Sequence, residues 1–128
     1  MDFVANIRGV VGVGDTISFW QDPWLLSGAL KDHYPALYSI EKKKSATVQQ
    51  RLQNLNNSRT PKWQWNKNTL TLEETSLSDQ LSYLITRYDF IIGPDRWQWL
   101  GNNDLTFSTS SVRKILDVSR YTDLNLEK

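Results

Sequence analysis

A chain of 128 residues with 15 basic and 14 acidic side chains carries a net charge of +1, so no whole-molecule field gathers nucleic acid or acidic lipid, and any such binding is local. Its composition, 39% hydrophobic and 23% charged, excludes a disordered chain and fits one domain with a buried core. The absence of cysteine removes disulfides, thiol catalysis and thiolate metal sites together. The longest apolar run falls far short of the ~20 residues that span a bilayer, and Met1-Asp2-Phe3-Val4 has neither the basic nor the apolar region of a signal peptide. A soluble intracellular chain, cytoplasmic or nuclear, with no membrane contact is expected.

Residues 7–24 read as a β-hairpin. Ile7, Val10 and Val11 lead into Gly12-Val13-Gly14-Asp15, where glycine supplies the positive φ of a tight reversal, and Thr16-Ile17-Ser18-Phe19-Trp20 leads away with period-2 alternation. Pro23 ends the second arm because it has no amide hydrogen for a neighbouring strand. Between Ser27 and Ile40 no period is clean, and Pro35 argues against a long helix. Glu41-Lys42-Lys43-Lys44 reads as a solvated turn. Ser45 is then placed to cap a short helix from about Ala46 to Leu55, with Val48, Leu52 and Leu55 on one face.

Asn54 to Pro61, rich in Asn, Ser, Thr and Pro, is the clearest loop and the best hinge or proteolysis candidate. Trp63-Gln64-Trp65 is a strand or an extended anchor. Thr71-Leu72-Glu73-Glu74 matches a capping box, in which hydroxyl and carboxylate each satisfy an orphan helix amide. A long helix follows, with Leu77, Leu81, Leu84, Ile85 and Tyr88 on one face and Gly93-Pro94 as the stop. A second hairpin is expected from Arg96-Trp97-Gln98-Trp99-Leu100, the turn Gly101-Asn102-Asn103-Asp104, and Leu105-Thr106-Phe107. Ser108 or Ser110 would cap a closing helix with Val112, Ile115 and Leu116 inward. The fold class expected is therefore α+β: one small domain with two β-hairpins, a long central helix and one or two shorter helices, its core spanning about residues 7–118 and its tail 119–128 frayed.

Catalytic chemistry finds little footing. His33 is the lone histidine, and a zinc site around it would need carboxylates from unrelated segments. No Gly-x-Ser-x-Gly elbow accompanies it. Asp15, Asp22 and Asp32 could gather a magnesium ion in principle, but Asp15 is better spent closing the first hairpin and Asp22 capping the Pro23-Trp24 turn. Glu73 and Glu74 diverge by about 100° on a helix. Gly9-x-x-Gly12-x-Gly14 lacks the Gly-Lys-Ser/Thr ending and the helix of a phosphate loop. No catalytic, metal-binding or cofactor-binding residues are expected, and no cofactor.

The six tryptophans fall into three pairs, Trp20/Trp24, Trp63/Trp65 and Trp97/Trp99. The first and last pairs are read as scaffold, with Trp97 and Trp99 on one face of their hairpin. Trp63 and Trp65 stand near Lys42, Lys43, Lys44, Arg51, Arg59 and Lys62, a grouping in which rings stack on bases and cations meet phosphate in nucleic-acid binders. These eight residues are the candidate interaction surface, with core tryptophans and a solvated lysine turn as the plainer account.

The order Gly-x-Gly-Asp-Thr-Ile-Ser-Phe-Trp-Gln-Asp-Pro-Trp, then Pro-x-Leu-Tyr-Ser-Ile, Trp-x-Trp, a Leu/Glu-rich helix, and Asp95-Arg96-Trp97-Gln98-Trp99 before Phe107-Ser108-x-x-Ser111-Val112 resembles plant LINE-type (non-LTR) retrotransposon reverse-transcriptase proteins. The resemblance runs from about Val10 to Asp117 and matches the region between the polymerase and the C-terminal zinc-binding-like segment. It implies a single retroelement-derived domain without the polymerase's Tyr-x-Asp-Asp-type motif and without the Cys/His cluster. The function expected from it is a non-catalytic protein-interaction module, not an enzyme. The alternative is an RNA- or DNA-binding accessory module inherited from the element. A protein partner is expected first, nucleic acid is the open second choice, and a homodimer is compatible with apolar surface left by missing neighbours.

Overall fold

The structure, a computed structural model, describes residues 7–99 and the backbone of 106–107. The element order is β1 (Ile7–Val10), α1 (Leu30–His33), α2 (Pro35–Ile40), α3 (Val48–Arg51), β2 (Leu52–Leu55), β3 (Ser58–Pro61), α4 (Leu72–Thr86), β4 (Arg96–Trp99) and β5 (Thr106–Phe107). The class is α+β as expected, with two hairpins, one long helix and several short ones. The expected closing helix after Ser108 and the tail beyond Val118 lie outside the described residues.

One hairpin stands where the sequence places it. β4 pairs antiparallel with β5, Trp97 opposite Phe107 and Gln98 opposite Thr106. The other does not. β1 pairs with β4, in the register Ile7 opposite Trp99 through Val10 opposite Arg96, so the sheet order is β1-β4-β5. The expected partner arm, Thr16 to Trp20, instead runs beside residues 46–48: the Phe19 amide donates to the Ala46 carbonyl (2.9 Å) and the Val48 amide to the Ile17 carbonyl (2.9 Å). Alternation alone cannot say which segment answers a strand's amides, and a segment nearly ninety positions away wins here.

The second hairpin is β2-β3, in the stretch expected to be a loop, with Leu52 opposite Pro61 and Leu55 opposite Ser58. Its two-residue turn is Asn56-Asn57, with φ of 52° and 66°. Two successive positive φ values define the turn whose twist matches antiparallel strands, and asparagine tolerates them. Polarity there is the signature of a tight turn rather than of a hinge. The expected helix from Ala46 to Leu55 shrinks accordingly to one turn. Its cap is Thr47 rather than Ser45: the Thr47 hydroxyl accepts from the Gln50 amide and the Gln50 side chain accepts from the Thr47 amide, a reciprocal pair.

Pro35 opens α2 at its first position, where a missing amide hydrogen costs nothing, so the 27–40 region is two short helices joined at Tyr34. α4 begins as expected, with Thr71 and Glu74 in a capping box. It buries Ser78, Leu81 and Ile85, while Tyr88 lies beyond its end.

The core gathers Ile7, Val11, Ile17, Phe19, Trp20, Trp24, Leu30, Leu37, Val48, Leu81, Ile85 and Trp97. Trp20, Trp24 and Trp97 are fully buried, each contributing on the order of 4–6 kcal/mol gross from ~150–250 Å² of ring surface. Phe19 meets Trp20 edge-on at 5.0 Å and Trp24 at 5.8 Å, and Trp24 meets Tyr88 at 5.1 Å. The first and last tryptophan pairs are thus scaffold, although Trp99 is only half-buried.

Candidate interaction surface

The lysine turn and the Trp63-Trp65 segment are neighbours in space, although α3, β2 and β3 separate them in sequence. The Lys42 amide donates to the Gln64 carbonyl (2.8 Å), the Asn66 amide to the Ile40 carbonyl (2.8 Å), and Glu41 and Trp65 form an antiparallel bridge. The segment from Lys62 to Asn66 is extended, with Lys62, Gln64 and Asn66 exposed and Trp63 and Trp65 half-buried between them. Trp63 and Trp65 stack at 4.9 Å with 19° between their planes. Trp63 continues inward, 5.8 Å from Phe19 and 6.5 Å from Trp20, and its indole N–H donates to the Ser82 hydroxyl (3.2 Å). A column of rings therefore runs from the core to Trp65, while Lys42, Lys43 and Lys62 are exposed on the adjoining backbone.

Two members of the expected surface sit elsewhere. Arg51 is 1% exposed, a correction to its surface placement. Its Nε and Nη2 donate to the two Glu41 carboxylate oxygens (2.6 and 2.8 Å) and its Nη1 to the Lys62 carbonyl (3.0 Å). Glu41, also buried, accepts further from the Trp20 indole N–H (2.8 Å) and the Lys43 amide (2.9 Å). Such saturation is what lets an ion pair exist in an apolar interior. Arg59 is half-buried, its guanidinium 4.4 Å from the Phe90 ring centroid. Lys44 is exposed but tethered, its ammonium donating to the Ser39 and Glu41 carbonyls beside the Tyr38 ring.

Asp95 is the polar centre that sequence reasoning passes over. It is 4% exposed. One carboxylate oxygen accepts from the Gly12 and Gly14 amides (2.8 Å each), the other from the Thr16 amide (3.0 Å) and hydroxyl (2.7 Å). The glycine-rich loop is thus an anion cradle after all, and its anion is a side chain of the same chain. A signal existed in the alternate glycines, which present successive amides to one side. Asp15, expected to close this loop, is exposed. Asp22 is fully buried and accepts from the Ser18 amide (2.7 Å), closing the turn before it.

Among the described residues no three acidic or histidine side chains gather so as to hold a metal ion, and Asp15, Asp22 and Asp32 do not converge. His33 is exposed and its ring contacts the Ser27 carbonyl. Glu74 is held below its ordinary value by its hydrogen bond from Lys67 and by the Thr71 amide, as its capping role requires. Burial holds the Tyr34 and Tyr88 phenols above theirs. Among the described residues no helix is long and apolar enough to cross a membrane.

Two of the concavities among the described residues bear on binding. The smaller, about 230 Å³, lies between Val13, Val48 and the β2-β3 hairpin. The larger, about 620 Å³, lies between β1, the Trp24-Leu25-Leu26 turn and the end of α4. The chain matches no protein-family model, and no match to it was found among curated proteins or among solved structures.

Proposed function

We propose that the chain is a non-catalytic protein-interaction module derived from a retrotransposon reverse-transcriptase protein, working inside the cell in cytoplasm or nucleus. The observation that carries this reading is the use made of buried acid. Asp22, Glu41 and Asp95 are the buried carboxylates among the described residues, and each is taken up by amides, an indole or a guanidinium of the fold. Glu41 and Asp95 each accept four hydrogen bonds from the scaffold, which leaves no lone pair for a reacting proton. The sequence order that resembles the retroelement proteins supports the origin.

A second reading, single-stranded RNA or DNA binding, is favoured by one observation: the backbone bond that pairs the lysine turn at Lys42 with Gln64, next to Trp65, the outer ring of the indole column. Salt separates the two readings. Phosphate-driven binding falls steeply between roughly 50 and 200 mM salt, whereas an apolar protein contact hardly changes. The purified chain is expected to retain a protein partner from native extract across that range and to release any oligonucleotide. Magnesium-dependent nuclease or polymerase activity abolished by Asp15→Asn would overturn the non-catalytic reading.

A further inference from the structure

The larger groove has a chemistry of its own. Val10, Leu25, Leu26 and Leu84 line it, all half-buried, so aliphatic carbon is left facing solvent on one side. Arg8 and Arg87 line it too. Among the described residues neither guanidinium has an ion-pair partner, and the one carboxylate in the lining is Asp89. Both cations are positioned. Arg8 sits on β1 opposite Gln98, and Arg87 caps α4 with its guanidinium 5.5 Å from the ring of Tyr83, which is 60% exposed. A volume of about 620 Å³ lies within the range of sites that bury a ligand.

From this we infer that the groove between β1, the Trp24-Leu26 turn and the end of α4 docks a short acidic peptide segment of a partner protein, aliphatic side chains inward and carboxylates on Arg8 and Arg87. The inference rests on the reading of the chain as a protein-interaction module and names the class of partner. Charge complementarity selects the occupant and the aliphatic floor holds it, so two ion pairs lose far less to salt than the many phosphates of a nucleic-acid strand. A planar guanidinium takes a carboxylate through two parallel hydrogen bonds, and an aliphatic floor takes leucine-like side chains at low cost. A nucleic-acid strand, which binds through phosphates and stacked bases, would leave that aliphatic floor unfilled.

The test uses fluorescence anisotropy of the full chain with a fluorescein-labelled peptide of about twelve residues, leucines at helical spacing separated by aspartate and glutamate. A matched peptide carries lysine in place of every acid. The acidic peptide is expected to bind and the lysine peptide not. Arg8→Glu and Arg87→Glu are each expected to weaken the acidic peptide by about tenfold or more, and to reverse the preference when combined. Arg87 is exposed, so its variant preserves the fold, which near-ultraviolet circular dichroism of the buried tryptophans verifies. Thr69→Glu, a charge added at an exposed site away from the groove, is expected to leave binding unchanged.

Equal binding of the two peptides would overturn the inference, as would an Arg87→Glu variant that binds like the original. So would displacement of the peptide by single-stranded RNA, or self-association of the chain that competes with it. If the peptide fails while the chain still retains a salt-insensitive protein partner, the groove assignment falls alone. Loss of both removes the protein-interaction reading with it.

Discussion

Asp95 accepts four hydrogen bonds from a loop some eighty positions earlier, and its removal leaves three amides facing a void. Asp95→Ala is expected to destabilise the chain by about 3 kcal/mol or more, at ~1–3 kcal/mol for each buried donor left unsatisfied, read from the midpoint of urea unfolding. Glu41 and Arg51 behave differently because each is the other's neutraliser. Glu41→Gln or Arg51→Met alone is expected to cost about 3–5 kcal/mol, while a well-packed apolar pair in place of both costs far less; a double-mutant cycle measures the difference. Tyr88 gives the residue scale a pH signature. Burial raises its phenol above the ordinary value, so the folded chain keeps a proton that the unfolded chain sheds at about pH 10. Stability from this source is complete below that point and is lost as pH rises through the folded value. Urea midpoints are expected to fall above about pH 10. Tyr88→Phe should flatten the decline without abolishing it, since Tyr34 is raised by burial in the same direction.

Among elements, those built from neighbours in sequence were legible and those built across the chain were not. The Thr71-Glu74 box and the helix behind it need four adjacent residues to be recognised, and the structure has both. Thr71→Ala is expected to cost about 1 kcal/mol, observed as a lower thermal midpoint. The Trp97-Trp99 hairpin was legible for the same reason, its turn and arms being contiguous. β1 was visible as a strand but not by its partner, because period-2 alternation in Thr16-Trp20 fits any pairing. The β2-β3 hairpin was hidden by composition: Asn56 and Asn57 look like loop, and only their paired positive φ values distinguish a turn. Asn57→Gly, which takes that φ without strain, is expected to hold or raise stability. Asn57→Val should lower it by about 1–2 kcal/mol, since a β-branched side chain is strained there; urea unfolding of the pair reads the contrast. At the candidate surface, the extended Trp63-Trp65 anchor was legible from its local alternation. The burial of Arg51 was not, since its partner Glu41 lay within a run that read as solvated charge.

For the molecule as a whole, the tryptophans and the buried acids divide into ring scaffold and internal polar anchors, while the groove flanked by Arg8 and Arg87 opens at the edge of the core, where Trp24 and Tyr88 reach its lining. Gly12 ties the two ends together: a side chain there would collide with the Gly93 carbonyl, and Val13 donates to the same carbonyl (2.9 Å). Gly12→Ala is therefore expected to separate the N-terminal loop from the segment before β4, seen as faster amide exchange at Val13 and Gly14 than in the parent chain. The reach of Asp95 also sets a clock. On a ribosome adding about 5–20 residues each second, the Gly12-Thr16 loop waits roughly 4–16 s before its carboxylate is synthesised, and β1 waits longer still for β4. Through that interval the amides of the loop and the edge of β1 stand without the partners that the finished fold gives them.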